Sequence, residues 1–354
     1  YDTWQSLPGM FFEIAVQGDN SAFLWAKNNG PYQSLSWRET AQRVRNMAKG
    51  LSELGVAAGD RIVIASENRP EWVIADLAIM TLGAISVPAY TTNTVRDHRH
   101  ILSDCGAKGA IVSTRALAAR LLPAAAEVAA TEFIITMEAT AAGAFDIALY
   151  EWSAVMATGE TSTHDLEPAL QAQTRGDTAC LIYTSGTGGN PKGVMLSHAA
   201  VMSNCMGARE LLRQLGLGDE VFLSFLPLSH AYEHTAGLYF PISIKAQIYY
   251  AESVETLSAN LVEVRPTIMV SVPRLYEVMH RRITLGLKRQ SKIKQHLFAK
   301  AVALGRKHYE NPGSLGLVQG ALNRVLEGVV RDKVRARFGG RLKGMVSGGA
   351  PLNF

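Results

Sequence analysis

One stretch limits what this chain folds into: Tyr183-Thr184-Ser185-Gly186-Thr187-Gly188-Gly189-Asn190-Pro191-Lys192-Gly193-Val194. The apolar run Ala179-Cys180-Leu181-Ile182 leads into it and reads as a buried strand, and a helical pattern follows from about Ser197. Strand, glycine- and hydroxyl-rich loop, basic residue and helix together compose an anion-binding arrangement. Glycine lets backbone N–H groups approach an anion, Thr and Ser add donors, and Lys192 adds charge. Two common phosphate loops are excluded. The nucleotide-triphosphate loop G-x-x-x-x-G-K-[ST] needs Gly at Pro191 and a hydroxyl at Gly193, and a dinucleotide fingerprint starting at Gly186 needs Gly or Ala at Pro191. A plain surface loop is the competing reading. Pro-Lys-Gly closing the loop between a strand and a helix argues against it.

Around this stretch, strand and helix patterns alternate. Ser36 and Glu39 make a capping box, and Ala41, Val44, Met47, Leu51 and Leu54 recur at helical spacing until Gly55 stops them. Residues 61–65 read as a strand, and Pro70 opens a helix carrying Trp72, Ile74, Leu77 and Met80. Thr94 and Asp97 mark another helix start. Further strands are expected at 85–87, 111–112, 133–135, 221–225, 248–250 and 268–272. Such alternation implies an α/β fold, its mainly parallel sheets covered on both faces. Residues 158–176 are polar, without clear period, and are expected to link two similar layers, giving subdomains 1–165 and 166–354.

A 47% hydrophobic and 19% charged composition belongs to a globular chain, and no apolar run approaches a membrane span. Cys105, Cys180 and Cys205 lack metal-ligand spacing, and Cys180 reads as a small core residue. The net charge of +4 does not call for nucleic acid. The chain starts at Tyr1 rather than Met and shows no signal peptide, so its first residue is expected not to be the native terminus.

The loop resembles the Thr-Ser-Gly-Thr-Thr-Gly-x-Pro-Lys-Gly phosphate loop of the adenylate-forming enzymes, which include acyl-CoA synthetases, luciferases and peptide-synthetase adenylation domains. It departs at Gly188, where the family has a hydroxyl residue. The segments 68–72, 83–88, 226–230 (Leu-Pro-Leu-Ser-His), 272–274 and 347–352 (Ser-Gly-Gly-Ala-Pro-Leu) are similar to family segments in the same order. The resemblance implies the layered α/β/α N-terminal domain of these enzymes. It also implies activation of a carboxylate with ATP and Mg²⁺ to acyl-AMP, with pyrophosphate released, then transfer to the thiol of coenzyme A.

On this resemblance, Ser185, Gly186, Thr187, Gly188, Gly189 and Lys192 hold the β- and γ-phosphates, and Thr184 lies nearest Mg²⁺. His230 is the substrate-site histidine, with Tyr232 and His234 lining an acyl pocket. Gly348, Gly349, Ala350 and Pro351 lie against adenine. The chain stops at Phe354, before the family's Tyr-Gly-x-Thr-Glu segment, ribose-holding Asp and C-terminal lid domain with its lysine. A partial enzyme, inactive alone, is therefore expected.

The stretch 280–308 carries Arg281, Arg282, Lys288, Arg289, Lys292, Lys294, Lys300, Arg306 and Lys307, with no acidic residue between Glu277 and Glu310. Ile293, Leu297, Ala301 and Leu304 share a helical face between those charges. A solvated helix face is the preferred reading. Attraction to an anionic membrane surface, or to the phosphates of coenzyme A, is the functional one. A helical basic insertion at about 280–340 resembles the long-chain fatty acyl-CoA synthetases, so the expected substrate is a long-chain fatty acid. The expected setting is the cytoplasm or the inner face of a membrane. An aryl- or other acyl-adenylate-forming relative, and a non-catalytic nucleotide-binding module, remain the alternatives. Nucleic-acid binding is not expected, since few aromatic residues interleave the basic ones.

Overall fold

The computed structural model describes residues 1–141, 143, 145–184 and 190–351. They form two compact units, 1–251 and 252–354. The first contains strands β1 (Ala22–Lys27), β2 (Tyr32–Ser36), β3 (Arg61–Ala65), β4 (Ile85–Ala89), β5 (Gly109–Val112), β6 (Phe133–Thr136), β7 (Ala148–Glu151), β8 (Thr178–Thr184), β9 (Lys192–Ser197), β10 (Val221–Ser224) and β11 (Gln247–Tyr250). The second contains β12 (Ile268–Ser271) and β13 (Gly344–Ser347), paired in parallel.

Seven strands of the first unit lie in the order β7-β6-β5-β3-β4-β8-β9. Neighbours are parallel from β7 through β8, and β9 runs antiparallel to β8. β10, β11 and β1 are parallel, with β2 antiparallel on β1. The expected α/β class with mainly parallel sheets is therefore observed. Residue 165 lies inside the first unit, and the seven-stranded sheet takes strands from both sides of it.

Helices form where the local chemistry directs. In the capping box opening Trp37–Glu53, Glu39 N–H donates to Ser36 Oγ at 3.2 Å and Ser36 N–H to the Glu39 carboxylate at 2.7 Å. Thr94 and Asp97 make the same reciprocal pair at the start of Val95–Asp104. Helix Pro70–Thr81 is apolar on every side, and all residues from Trp72 to Thr81 are buried. It packs on β3 and β4 of one sheet and on β1 of the other. A helix without a polar face belongs in such a place, between two layers. On one face of the seven-stranded sheet, helices Val95–Asp104 and Arg115–Ala126 close a core of Val63, Val87, Leu102, Val112, Leu121 and Ile134.

Two sequence expectations change. The segment 158–176 is largely helical, within Trp152–Thr161 and Glu167–Ala172. The first of these packs on Trp37–Glu53 through Gly159, where any Cβ would run into the Asn46 carbonyl. Backbone contact replaces an apolar stripe, so no period marks it. The second change concerns the glycine-rich loop. The helix expected from about Ser197 is found at His198–Leu212, but a strand that was not expected, β9 from Lys192, lies between the loop and it.

Candidate nucleotide and acyl site

The loop closes a hairpin. β8 and β9 pair from Thr178 opposite Ser197 up to Thr184 opposite Lys192. Residues Ser185, Gly186, Thr187, Gly188 and Gly189 lie outside the described residues. Their flanks define the mouth: the Thr184 hydroxyl and the Lys192 ammonium sit on paired, exposed positions, one at each end of the loop.

Two side chains fasten this mouth to helix Val95–Asp104. Tyr183 OH donates to Asp104 Oδ2 at 2.7 Å, and His100 Nε2–H donates to the Pro191 carbonyl at 2.8 Å. The His100 and Tyr183 rings meet edge to face at 6.1 Å between centroids. Burial, and then the Asp104 carboxylate, hold the Tyr183 phenol protonated well above its usual range. Gly193 lies over that ring, and a Cβ there would press on Tyr183 Cζ.

His230 follows the carboxyl end of β10, as Thr184 ends β8. Carboxyl ends of parallel strands are where open α/β sheets place ligand groups. His230 is exposed, and its Nδ1 accepts from Tyr232 N–H at 3.1 Å. A neutral ring then carries its proton on Nε2, the atom not used by that bond. His230 N–H in turn donates to the Pro227 carbonyl at 2.9 Å, which tightens the turn.

That turn is built by Asn68, from the matched segment 68–72, together with Ser224 and Glu233, which no motif singled out. Asn68, in the loop after β3, donates to Ser224 Oγ at 3.1 Å and to the Leu226 carbonyl at 2.7 Å, and accepts from Leu228 N–H at 3.0 Å. Ser224 Oγ donates to Glu233 Oε1 at 2.7 Å. Burial pushes the Glu233 carboxyl up to about 8, against the opposing pull of the Ser224 bond. It is therefore mostly protonated at neutral pH. Gly237 gives it room, since any Cβ at 237 would run into the carboxyl.

One helical turn on, His234 and Tyr239 reach Asp76 on the central helix. Tyr239 OH donates to Asp76 Oδ2 at 2.6 Å and His234 Nε2 lies 3.2 Å from the same oxygen, all three side chains being fully buried. Burial alone would lower the pKa of His234; the Asp76 charge outweighs it and raises it. The protonated form of the His234 ring is favoured beside Asp76. The expectation that His234 lines an acyl pocket is not met here: its ring has no exposed surface and packs edge to face on Trp72. Tyr232 is half-buried.

Gly348, Gly349, Ala350 and Pro351 belong to the second unit, directly after β13. Gly348 N–H donates to the Ser271 carbonyl at 3.1 Å, extending the β12–β13 ladder by one bond. Gly349 sits at φ +80, a left-handed conformation that glycine adopts without cost, and it and the next two residues are exposed.

An α/β domain thus carries Thr184 and Lys192 paired at the end of one strand hairpin and His230 in a turn after a strand of the other sheet. The AMP-binding enzyme family model matches residues 12–353, and the chain belongs to that family. It is 32% identical to the long-chain-fatty-acid–CoA ligase FadD15 of Mycobacterium tuberculosis, over 92% of this chain and 53% of the relative. It is 27% identical to the long-chain-fatty-acid–CoA ligase ACSBG2 of Mus musculus, over 96% of this chain and 52% of that protein. The chain thus spans about half the length of the relatives it matches. Among solved structures, the A-PCP didomain of the carboxylic acid reductase from Segniliparus rugosus, in complex with AMP, superposes with a TM-score of 0.76 at 19% identity. That match covers 98% of this chain and 50% of the other, and at this identity it speaks for the fold.

Proposed function

We propose that this chain supplies the phosphate loop and acyl-side residues of an AMP-forming long-chain fatty acid–CoA ligase. The reaction would join the fatty carboxylate to the α-phosphate of ATP, release pyrophosphate, and pass the acyl group to the thiol of coenzyme A. The observation that carries this reading is the hairpin mouth, where Thr184 and Lys192 face each other across the glycine loop in a chain of the AMP-binding family. Names of the relatives in that family support the fatty acid and coenzyme A.

Each residue has a stated task. Lys192 would offset charge on the β- and γ-phosphates, with loop residues 185–189 offering N–H donors. The Thr184 hydroxyl would be the protein's contribution to Mg²⁺. That ion keeps most of its water and leans on substrate phosphates, so one exposed hydroxyl beside a polyphosphate fits its chemistry. His230 would present Nε2–H to the oxygens of the carboxylate or the α-phosphate, with Asn68 and Glu233 holding its turn. Gly348, Gly349, Ala350 and Pro351 would offer a flat backbone surface to adenine. Alignment of carboxylate and phosphate is the larger part of such catalysis, on the order of 7–11 kcal/mol.

No helix among the described residues is long and apolar enough to cross a membrane. The proposed setting is the cytoplasm, with peripheral membrane contact through 280–308. Exposed Arg281, Lys288, Arg289 and Lys292 beside Ile293, itself 73% exposed, support that contact. The remainder of the apolar stripe does not, since Ala301 is buried and Leu297 and Leu304 are half-buried.

The test of the activity is fatty-acid-dependent pyrophosphate release from ATP by the full-length protein, native against Lys192→Ala. The proposal expects palmitate-dependent release that falls at least tenfold at limiting ATP in the variant. Absence of acid-dependent release in the native protein would overturn it.

A further inference from the structure

Helices Pro273–Lys288 and Lys292–Glu310 and the segment 327–337 of the second unit enclose a groove of about 470 Å³. It shares no residue with Thr184, Lys192, His230 or 348–351. Its apolar wall is formed by half-buried side chains, Leu287, Phe298 and Val334 among them, while Lys294, Lys333 and Arg337 line it from exposed positions. No lining residue is acidic. The acids of the nearby segment are already engaged: Glu327 pairs with Arg331 and Arg335, and Asp332 with Arg335. Lys294 donates only to the neutral Gln290 side chain at 3.1 Å.

We propose that this groove is a second ligand site, for a free long-chain carboxylate. A small-molecule site is typically a cleft of roughly 300–1,000 Å³, mostly apolar, with a few polar groups that fix orientation. This groove has that size and lining, and its charged groups are all cations. Charge complementarity asks for an anionic head, and the apolar wall for a hydrocarbon tail. A groove of about 470 Å³ has the scale of a single-chain amphiphile, whereas a bilayer phospholipid brings two chains. The carboxylate would lie between Lys294, Lys333 and Arg337, with the tail along Leu287, Phe298 and Val334. An anionic head would meet Lys294, Lys333 and Arg337, all on the lining and all at exposed positions, with no lining carboxylate to compete for them. The inference does not depend on the ATP chemistry proposed above.

The test is calorimetric titration of the chain with sodium palmitate below its micelle concentration, without ATP or Mg²⁺. The native chain, Lys192→Ala, the double variant Lys333→Glu with Arg337→Glu, and Val334→Asp are compared. The reversed charges sit on exposed positions, and a thermal melt checks that each variant is folded. We expect palmitate to bind the native chain and Lys192→Ala alike. One binding event should be lost, or weakened at least tenfold, in the double variant and in Val334→Asp. Hexadecanol, which has the tail without the charge, should bind at least tenfold more weakly. Palmitate binding that is absent, or equal in all four proteins, would overturn the proposal. So would capture of phosphatidylglycerol vesicles by the native chain with no affinity for free palmitate. Because nucleotide is absent and Lys192→Ala is included, failure of the ligase reading leaves this result unaffected.

Discussion

The hairpin mouth and the histidine turn both present a polar side chain to solvent at the end of a strand, but they are rooted differently. Lys192 and Thr184 are steadied from outside, by Tyr183 on Asp104 and His100 on Pro191, which are part-buried contacts on the sheet's flank. His230 is steadied from beneath, by Asn68, Ser224 and Glu233 and, one turn further, by the fully buried trio Asp76, His234 and Tyr239. On the proposed function, light anchoring of Thr184 and Lys192 would suit groups that adjust to a polyphosphate. A single imidazole that must point one way gains from a rigid foundation. Desolvated polar groups provide that rigidity, since a buried group without its partner is expensive.

The sharpest way to break this contrast is to remove the deepest anchor. Asp76→Ala would leave the buried His234 ring and the Tyr239 hydroxyl without their shared partner. It should cost about 3–5 kcal/mol, read as a lowered urea midpoint of the first unit. If Asp76→Ala costs no more than Asp104→Ala, the two regions are not rooted differently.

Next in size is Asn68→Ala, which removes three bonds to the 224–228 segment and leaves part-buried groups unmatched. A loss of about 1–3 kcal/mol is expected. The His230 Nε2 resonance should also broaden or shift in ¹⁵N NMR, whereas Tyr183→Phe should leave it in place.

The pH dependence sharpens the comparison. Glu233 has its folded pKa raised from 4.5 to about 8. The folded state therefore holds a proton that the unfolded state gives up. Its contribution is complete below about pH 4.5 and is lost as pH rises toward 8. His234, also raised, contributes fully below its ordinary value of 6.5 and loses that contribution as pH rises beyond it. Stability of the first unit should therefore fall from mildly acidic to alkaline pH. Glu233→Gln keeps the shape and drops the titration. Its stability relative to the native protein should rise by at least about 1.4 kcal/mol between pH 5 and pH 8, the equivalent of one pKa unit. Parallel pH profiles for the two proteins would remove Glu233 from the foundation of the turn. The smallest expected effect is Tyr183→Phe, about 1 kcal/mol, since it deletes one part-buried hydrogen bond at the hairpin.

Local signals made much of this legible. Ser36 with Glu39, Thr94 with Asp97, Pro70 and Gly55 mark helix ends through bonds among neighbours in sequence, and each is found as expected. Motif pointed to Thr184, Lys192, His230 and 348–351, and the structure puts Thr184 and His230 at or after the carboxyl ends of β8 and β10. β9 was not, because it is an edge strand whose Val194 and Met195 are exposed, so it has no buried face to pattern. Helix Trp152–Thr161 escaped because a glycine contact holds it. The foundation of the histidine turn escaped for another reason. Asp76 stands alone in an apolar helix, which signals a partner, but that partner, His234, lies 158 positions away and only the folded chain brings them together.

The central claim is that the Thr184–Lys192 mouth holds a polyphosphate, and equilibrium binding of ATP to residues 1–354 tests it most directly. The native chain, Lys192→Ala and Lys192→Arg are titrated at fixed ionic strength, with AMP as the comparison ligand. A charge-assisted phosphate contact is worth about 1.5–3 kcal/mol, which is roughly ten- to more than a hundredfold in affinity. ATP binding should weaken by that factor in Lys192→Ala and recover in part in Lys192→Arg, while AMP, lacking the β- and γ-phosphates, should be little affected. Equal ATP affinity in all three proteins would contradict the account.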